Sequence, residues 1–344
     1  MNKETMNKHL DELINSFDLM PSAPFISLKI QRIIQRNFII SLYSIWETYI
    51  KNKLYDVYMK NEDILYNEEF IKKYFEKTFS KKYTIKIFMD NISDAHIKKE
   101  ILFDSNNLSW YEFENFINAI GFDISRLKSN LTNRDELDKL SSIFMERGIT
   151  PLYNQKNNEK DIKMKRIVGY IQLIVENRNQ ISHNFDTDLP ENINKKKALI
   201  FIHFIKVLTG EIEQFIEKEI ALKLEQNGDL KEILEIVNVI KGCNMNIDQT
   251  CIVEVHIPQD FKELPKDIYI KSETGSVKKA KIIAKQYKGI NLSKIINNKI
   301  ISIEIQVDMK IKTNRKYSIC TRKSTTEKMK LLQTSYDKSK LSIY

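Results

Sequence analysis

The sequence predicts an α+β protein, with an N-terminal all-α helical bundle and a small, basic C-terminal antiparallel β domain. Three observations point there. The chain has 344 residues but only 8 glycines, none before Gly121, and a glycine-poor start favours long helices over a turn-rich β fold. Up to about residue 240, apolar residues recur at three- and four-residue steps, which marks helical faces. Beyond Gly242 the period falls to two: Ile301, Ile303, Ile305 and Val307 alternate with Ser302, Glu304, Gln306 and Asp308. That is the pattern of a half-buried strand. The predicted organisation is a helical domain over 1–242, a β domain over 245–323 and a polar tail over 324–344.

Pro21 and Pro24 punctuate the entry to a long helix over about 27–58, where Ile33, Arg36, Ile40, Tyr43, Glu47, Ile50, Leu54 and Val57 share one stripe. Arg36 and Glu47 are the charged members of that stripe. Further helices are predicted over 68–79, 94–103, 110–120 and 134–147, with Ser109 as the N-cap ahead of Trp110. Helices over 163–182 and 195–225 follow, then a shorter one over 230–240. Residues 251–257 alternate, with Cys251, Val253, Val255 and Ile257 on one face. Strands are also expected over 267–271, 279–286 and 316–321.

Composition bounds the function. Hydrophobic residues make up 42% and charged residues 29%, which fits a globular chain rather than a disordered one. The longest apolar run, 198–208, contains His203 and Lys206 and falls short of the roughly 20 residues a membrane span needs. Charges at Lys3, Glu4, Lys8, Asp11 and Glu12 break up any secretory signal, so a cytoplasmic protein is expected. Cys243, Cys251 and Cys320 are too few and too irregularly spaced for a disulfide framework or a zinc site, and read as buried thiols. The net charge of +9 is uneven: from Met245 onward 20 Lys and Arg face 10 Asp and Glu, leaving the first 244 residues near neutral. Such a split fits either a polyanion-facing segment or a solubilising surface. Tyr269, Tyr287 and Tyr317 in that basic third are candidates for base stacking.

One stretch carries groups suited to chemistry: Val175-Glu176-Asn177-Arg178-Asn179-Gln180-Ile181-Ser182-His183-Asn184-Phe185. Ile167, Ile171, Ile174, Arg178, Ile181 and Phe185 follow at steps of 4, 3, 4, 3 and 4, one helical seam. Arg178 therefore stands where an apolar residue would pack, and it needs a partner or a solvated groove, because an unpaired buried guanidinium is very costly. His183 lies five residues on, about 140° around an ideal helix, so the two flank the seam. Ser182 shares a face with Arg178, and Asn179 with His183. One reading pairs Arg178 with a buried carboxylate and leaves His183 merely ending its helix. The other makes the pair a reactive site. Glu47 is the carboxylate expected to meet Arg178, since both are charges on core-facing seams. His9, His96, His203 and His256 are isolated and read as structural or exposed. No phosphate-binding glycine loop, dinucleotide fingerprint, nucleophile elbow or His-Glu-x-x-His pair is present.

The Arg178, Asn179 and His183 spacing, with four residues between Arg and His, resembles the HEPN superfamily (higher eukaryotes and prokaryotes nucleotide-binding). The apolar run from Tyr170 to Val175, the long early helix with Trp46-Glu47, and Asn106-Asn107-Leu108-Ser109-Trp110 add to the likeness. It covers roughly residues 25–225. The resemblance implies a metal-independent endoribonuclease with Arg178 and His183 as catalytic residues, Asn179 beside them, and no cofactor or metal; Ser182, one turn on from Arg178, and Glu47, on the facing seam, are read as supporting residues from their helix positions. Imidazole exchanges a proton near neutral pH, and a guanidinium stabilises charge on a phosphorane. The resemblance further implies RNA as partner, a homodimer with a composite active site, a toxin or abortive-infection role against phage, and a neutralising or activating protein partner. No membrane partner is expected. Two alternatives stay open: a catalytically silent scaffold of a defence or toxin–antitoxin complex, and a nucleic-acid-binding regulator led by the basic β domain.

Overall fold

In the computed structural model, residues 1–15, 17, 28–61, 65, 108–153, 161–183, 193–243, 250–261, 263–265, 267–307 and 309–324 are described. Among them are seven helices: α1 (Lys3–Asn15), α2 (Leu28–Lys60), α3 (Trp110–Ala119), α4 (Ile124–Thr132), α5 (Asp135–Glu146), α6 (Ile162–His183) and α7 (Lys195–Gln226). Seven strands follow: β1 (Leu230–Lys241), β2 (Thr250–His256), β3 (Ile268–Ser272), β4 (Val277–Tyr287), β5 (Ile290–Asn291), β6 (Ile300–Val307) and β7 (Tyr317–Arg322). The expected α+β class is the observed one. The chain divides into two compact units, Met1–Phe215 and Ile216–Tyr344.

In the first unit, α6 runs through the middle of the bundle. Its central residues Tyr170, Ile171, Leu173, Ile174 and Val175 are all buried, so the helix is apolar around most of its circumference, as a core helix must be. Its most extensive packing is against α2, with α3, α4 and α5 also touching it. Phe144 stacks on Tyr170, with ring centroids 4.2 Å apart, and meets Phe201 and Phe204 of α7 edge-on or tilted. Asp161 starts α6 by accepting a hydrogen bond from the Met164 N–H at 3.0 Å. The Ser109 cap of α3 is present as a reciprocal capping box with Glu112.

In the second unit the strands lie in the order β3-β7-β1-β2-β6-β4-β5, all pairs antiparallel, and β3 also pairs with β4. Six strands thus close into a barrel, with β5 as a short appendage to β4. Closure leaves few unpaired edges. The barrel interior is filled by Val253, Val255, Ile270, Ile303, Ile305 and Ile319, all fully buried.

The structure corrects the short helix predicted over 230–240, which is strand β1. Its register slips between Ile236 and Asn238, and again between Val239 and Lys241. Each bulge inserts one residue and resets the alternation, so a bulged strand reproduces the three- and four-residue steps of a helix. The change from helix to strand accordingly falls between Gln226 and Leu230, not at Gly242. Helices α1 and α4 had no counterpart in the sequence reading. Helices predicted over 68–79 and 94–103, and the tail beyond 324, lie outside the described residues.

Candidate active site

The last two turns of α6 carry Arg178, Asn179, Ser182 and His183. The side chain of Arg178 is half-buried and turns toward α2, where its guanidinium carbon lies 5.1 Å from the centroid of the Tyr43 ring. Its Nη1 also donates to Asn179 Oδ1 at 3.1 Å. A cation over an aromatic face is attracted by the ring quadrupole, more strongly when partly desolvated. The seam position of Arg178 is thus reconciled with burial by an aromatic face on one side and an amide on the other.

Tyr43 is 1% exposed, and its hydroxyl works at the same time. It accepts a hydrogen bond from the Leu108 N–H at 2.7 Å, and the Glu47 carboxylate lies close enough to act on it electrostatically. Burial pushes the phenol well above the ordinary tyrosine range; Glu47 reinforces the rise, and Leu108 and Arg178 oppose it. The phenol is therefore neutral at any physiological pH. Glu47 ion-pairs with Lys51 at 2.8 Å. The Glu47–Arg178 meeting expected from the two seams is mediated: Tyr43 interacts with both groups, and the ion pair of Glu47 is with the next turn of its own helix. Tyr43 was visible in the sequence as a member of the Glu47 stripe, but was not singled out as a site residue. Its i, i+4 spacing from Glu47 was the available signal.

Ser182 is exposed and donates its hydroxyl hydrogen to the Arg178 carbonyl at 2.9 Å, closing the final turn. His183 is exposed at the last helical position. The site therefore pairs a guanidinium held in place by its neighbours with an imidazole open to solvent. Asn177, on the same helix, is 2% exposed with an unsatisfied Oδ1, and the buried Trp46 Nε1 on α2 is likewise unsatisfied.

Elsewhere, His203 Nε2 lies 2.9 Å from Glu136 Oε1, while His9 and His256 are exposed; His96 and Asn106-Asn107 fall outside the described residues. Tyr269 and Tyr317 are 6% and 4% exposed, and the Tyr317 hydroxyl accepts from the Lys312 N–H. They are core residues rather than stacking platforms, which corrects that expectation. The three cysteines are free and buried. No helix among the described residues is long and apolar enough to cross a membrane.

The family model described as RiboL-PSP-HEPN matches residues 4–218 of the chain. Neither a search of curated proteins nor one of solved structures returns a match.

Proposed function

The chain belongs to the RiboL-PSP-HEPN family, and from that premise we propose that it is a metal-independent endoribonuclease in which Arg178 and His183 act on the RNA backbone. The observation that carries this reading is the end of α6, where Arg178 is fixed against Tyr43 and Asn179 five residues before a solvent-facing His183. In the reaction, the 2′-oxygen attacks its neighbouring phosphorus and loses its proton, while the 5′-oxygen leaves and gains one. His183 moves one of these protons. The Arg178 guanidinium stabilises the charge that develops on the pentacoordinate phosphate. The products are a 2′,3′-cyclic phosphate and a 5′-hydroxyl.

One Arg and one His make a small constellation, so two protomers are proposed to face each other across one groove and supply both pairs. An RNA-cleaving toxin or abortive-infection effector is the biological role that fits such an enzyme. The test is incubation of the purified protein with total RNA in excess EDTA, beside His183→Ala and Arg178→Ala. Cleavage in EDTA with cyclic-phosphate ends, lost in both variants, is expected. Strict dependence on a divalent cation would exclude the mechanism, and full activity in both variants would exclude the site. A wild-type chain that cleaves nothing would favour the silent scaffold.

A further inference from the structure

We propose that the end of the barrel built by β4, β5 and the start of β6 is a docking surface for single-stranded RNA. The choice of RNA among polyanions rests on the ribonuclease reading; the surface itself rests on separate observations.

Residues 274–303 hold seven lysines and not one Asp or Glu. Lys279 is paired with Asp267. Lys281, Lys288, Lys294 and Lys299 are exposed, Lys285 is half-buried, and none of these five makes an ion pair among the described residues. The register shift between Ile282 and Ala284 turns Lys285 to the side of the buried Ile303, so the exposed cations of this segment are Lys281 on β4, Lys288 at the hairpin tip and Lys294 and Lys299 in the β5–β6 connection, with no carboxylate in the segment itself. A phosphate backbone is the ligand that such a set of cations attracts.

The backbone supports the same reading. Lys288 has φ 50° and Gly289 φ 78°, so the hairpin tip needs two left-handed residues in succession, where Asn-Gly is the low-cost choice. A lysine occupies the first of them. Lys288 and Asn298 are the non-glycine residues with positive φ among the described residues, and both belong to this segment. Strained positions of this kind concentrate where a side chain is needed for binding. The Lys288 ammonium lies over the Tyr287 ring, 5.5 Å from its centroid, and the ring, packed against the barrel core, holds this cation at the hairpin tip. Ile290 and Ile300 are 70% and 48% exposed on the same end and offer apolar contact to unstacked bases.

The loop that carries the cations is tied down. Asn298 N–H donates to the Ile257 carbonyl at 2.9 Å, Ile257 N–H donates to the Lys299 carbonyl at 3.0 Å, and Leu292 N–H donates to the Lys285 carbonyl at 2.7 Å. Asn297 Nδ2 donates to the Gln259 carbonyl at 2.6 Å. A fixed scaffold lowers the ordering cost of binding.

The test uses the full-length His183→Ala chain, so that bound RNA survives, and a labelled 20-nucleotide poly(U) probe titrated at about 50 and 200 mM salt. The Lys288→Gln/Lys294→Gln/Lys299→Gln variant is expected to weaken binding at least tenfold and to flatten the salt slope by about 2, at ~0.7 per single-strand phosphate contact. Lys139→Gln on α5 is expected to leave binding unchanged. If the triple variant fails a circular-dichroism melt, Lys288→Gln alone should still flatten the slope by about 0.7. Absence of binding at low salt, or binding indifferent to these lysines, would overturn the proposal. So would capture by phosphatidylglycerol vesicles, lost in Ile290→Ser, without RNA binding. Binding through these lysines in a chain that never cleaves RNA would sink the nuclease reading and leave this surface standing. Cleavage without such binding would do the reverse.

Discussion

Tyr43 supports Arg178 with its ring and the Leu108 backbone with its hydroxyl, and the two contributions separate by substitution. Tyr43→Phe keeps the ring under the guanidinium but strips the acceptor from the buried Leu108 N–H. An unsatisfied buried donor costs about 1–3 kcal/mol, so a fall of that size is expected in urea melts, with RNA cleavage largely retained. Tyr43→Leu also removes the cation–π attraction, about 0.5–2 kcal/mol, and should lower cleavage further by releasing Arg178. Equal activity in Phe and Leu variants would show that the ring does not position the guanidinium. Arg178→Lys should not rescue cleavage, because an ammonium lacks the planar fork that lies against the ring while bonding Asn179.

At the scale of elements, α6 is the helix that places the site, and Gly169 sets how closely a neighbouring segment crosses it. A Cβ at Gly169 would lie 2.6 Å from Pro151 Cβ and 3.1 Å from the Leu152 carbonyl oxygen. The Gly169 carbonyl also accepts the Leu152 N–H at 3.1 Å. Gly169→Ala should therefore destabilise by about 1–3 kcal/mol, the range for overpacking, despite the better helix propensity of alanine. A melt unchanged or raised would refute the close approach. Helix α1 is held by Glu213 of α7, which pairs with Lys3 at 3.0 Å and Lys53 of α2 at 3.0 Å, and accepts from the Tyr49 hydroxyl. Burial raises the Glu213 pKa, but Tyr49, Lys53 and Lys3 together outweigh it and hold the carboxyl below its ordinary value. A folded-state pKa below the unfolded one means stability that is complete above about pH 4.3 and lost as pH falls through the folded value. Glu213→Gln should thus lower the melting temperature at pH 7 and narrow the difference between pH 7 and pH 3. An undiminished difference would place the acid sensitivity elsewhere.

For the whole molecule, the composite groove requires assembly. Light scattering should report a mass corresponding to two 40.7 kDa chains, and a monomer that still cleaves RNA would end the two-protomer proposal. Most of the basic excess of the last hundred residues falls within 250–324, where the described residues form a closed barrel with an apolar interior. Strands such as β2 and β6 bury one face and leave the other to solvent, so charged side chains can stand outside a closed apolar core.

The helix stripes of α2 and α6, the capping box at Ser109 and the strict alternation of β6 were legible because each depends on contacts within a few residues, and one-dimensional periodicity reports such contacts directly. The Arg178–Asn179–His183 motif was recognisable only by its resemblance to a known family, not by periodicity. The bulged β1 was not legible: its three register shifts mimic helical spacing, and only pairing with β2 and β7 decides that the segment is extended. Closure of the barrel through β3 and β4 was equally hidden, since strand order depends on partners far apart in the chain. The sequence alone thus determined that a guanidinium sits on the buried seam of its helix. Only the tertiary structure decided that its neighbour there is the face of Tyr43, with Glu47 on the same stripe of α2 paired to Lys51, because that choice depends on how α2 and α6 are packed together.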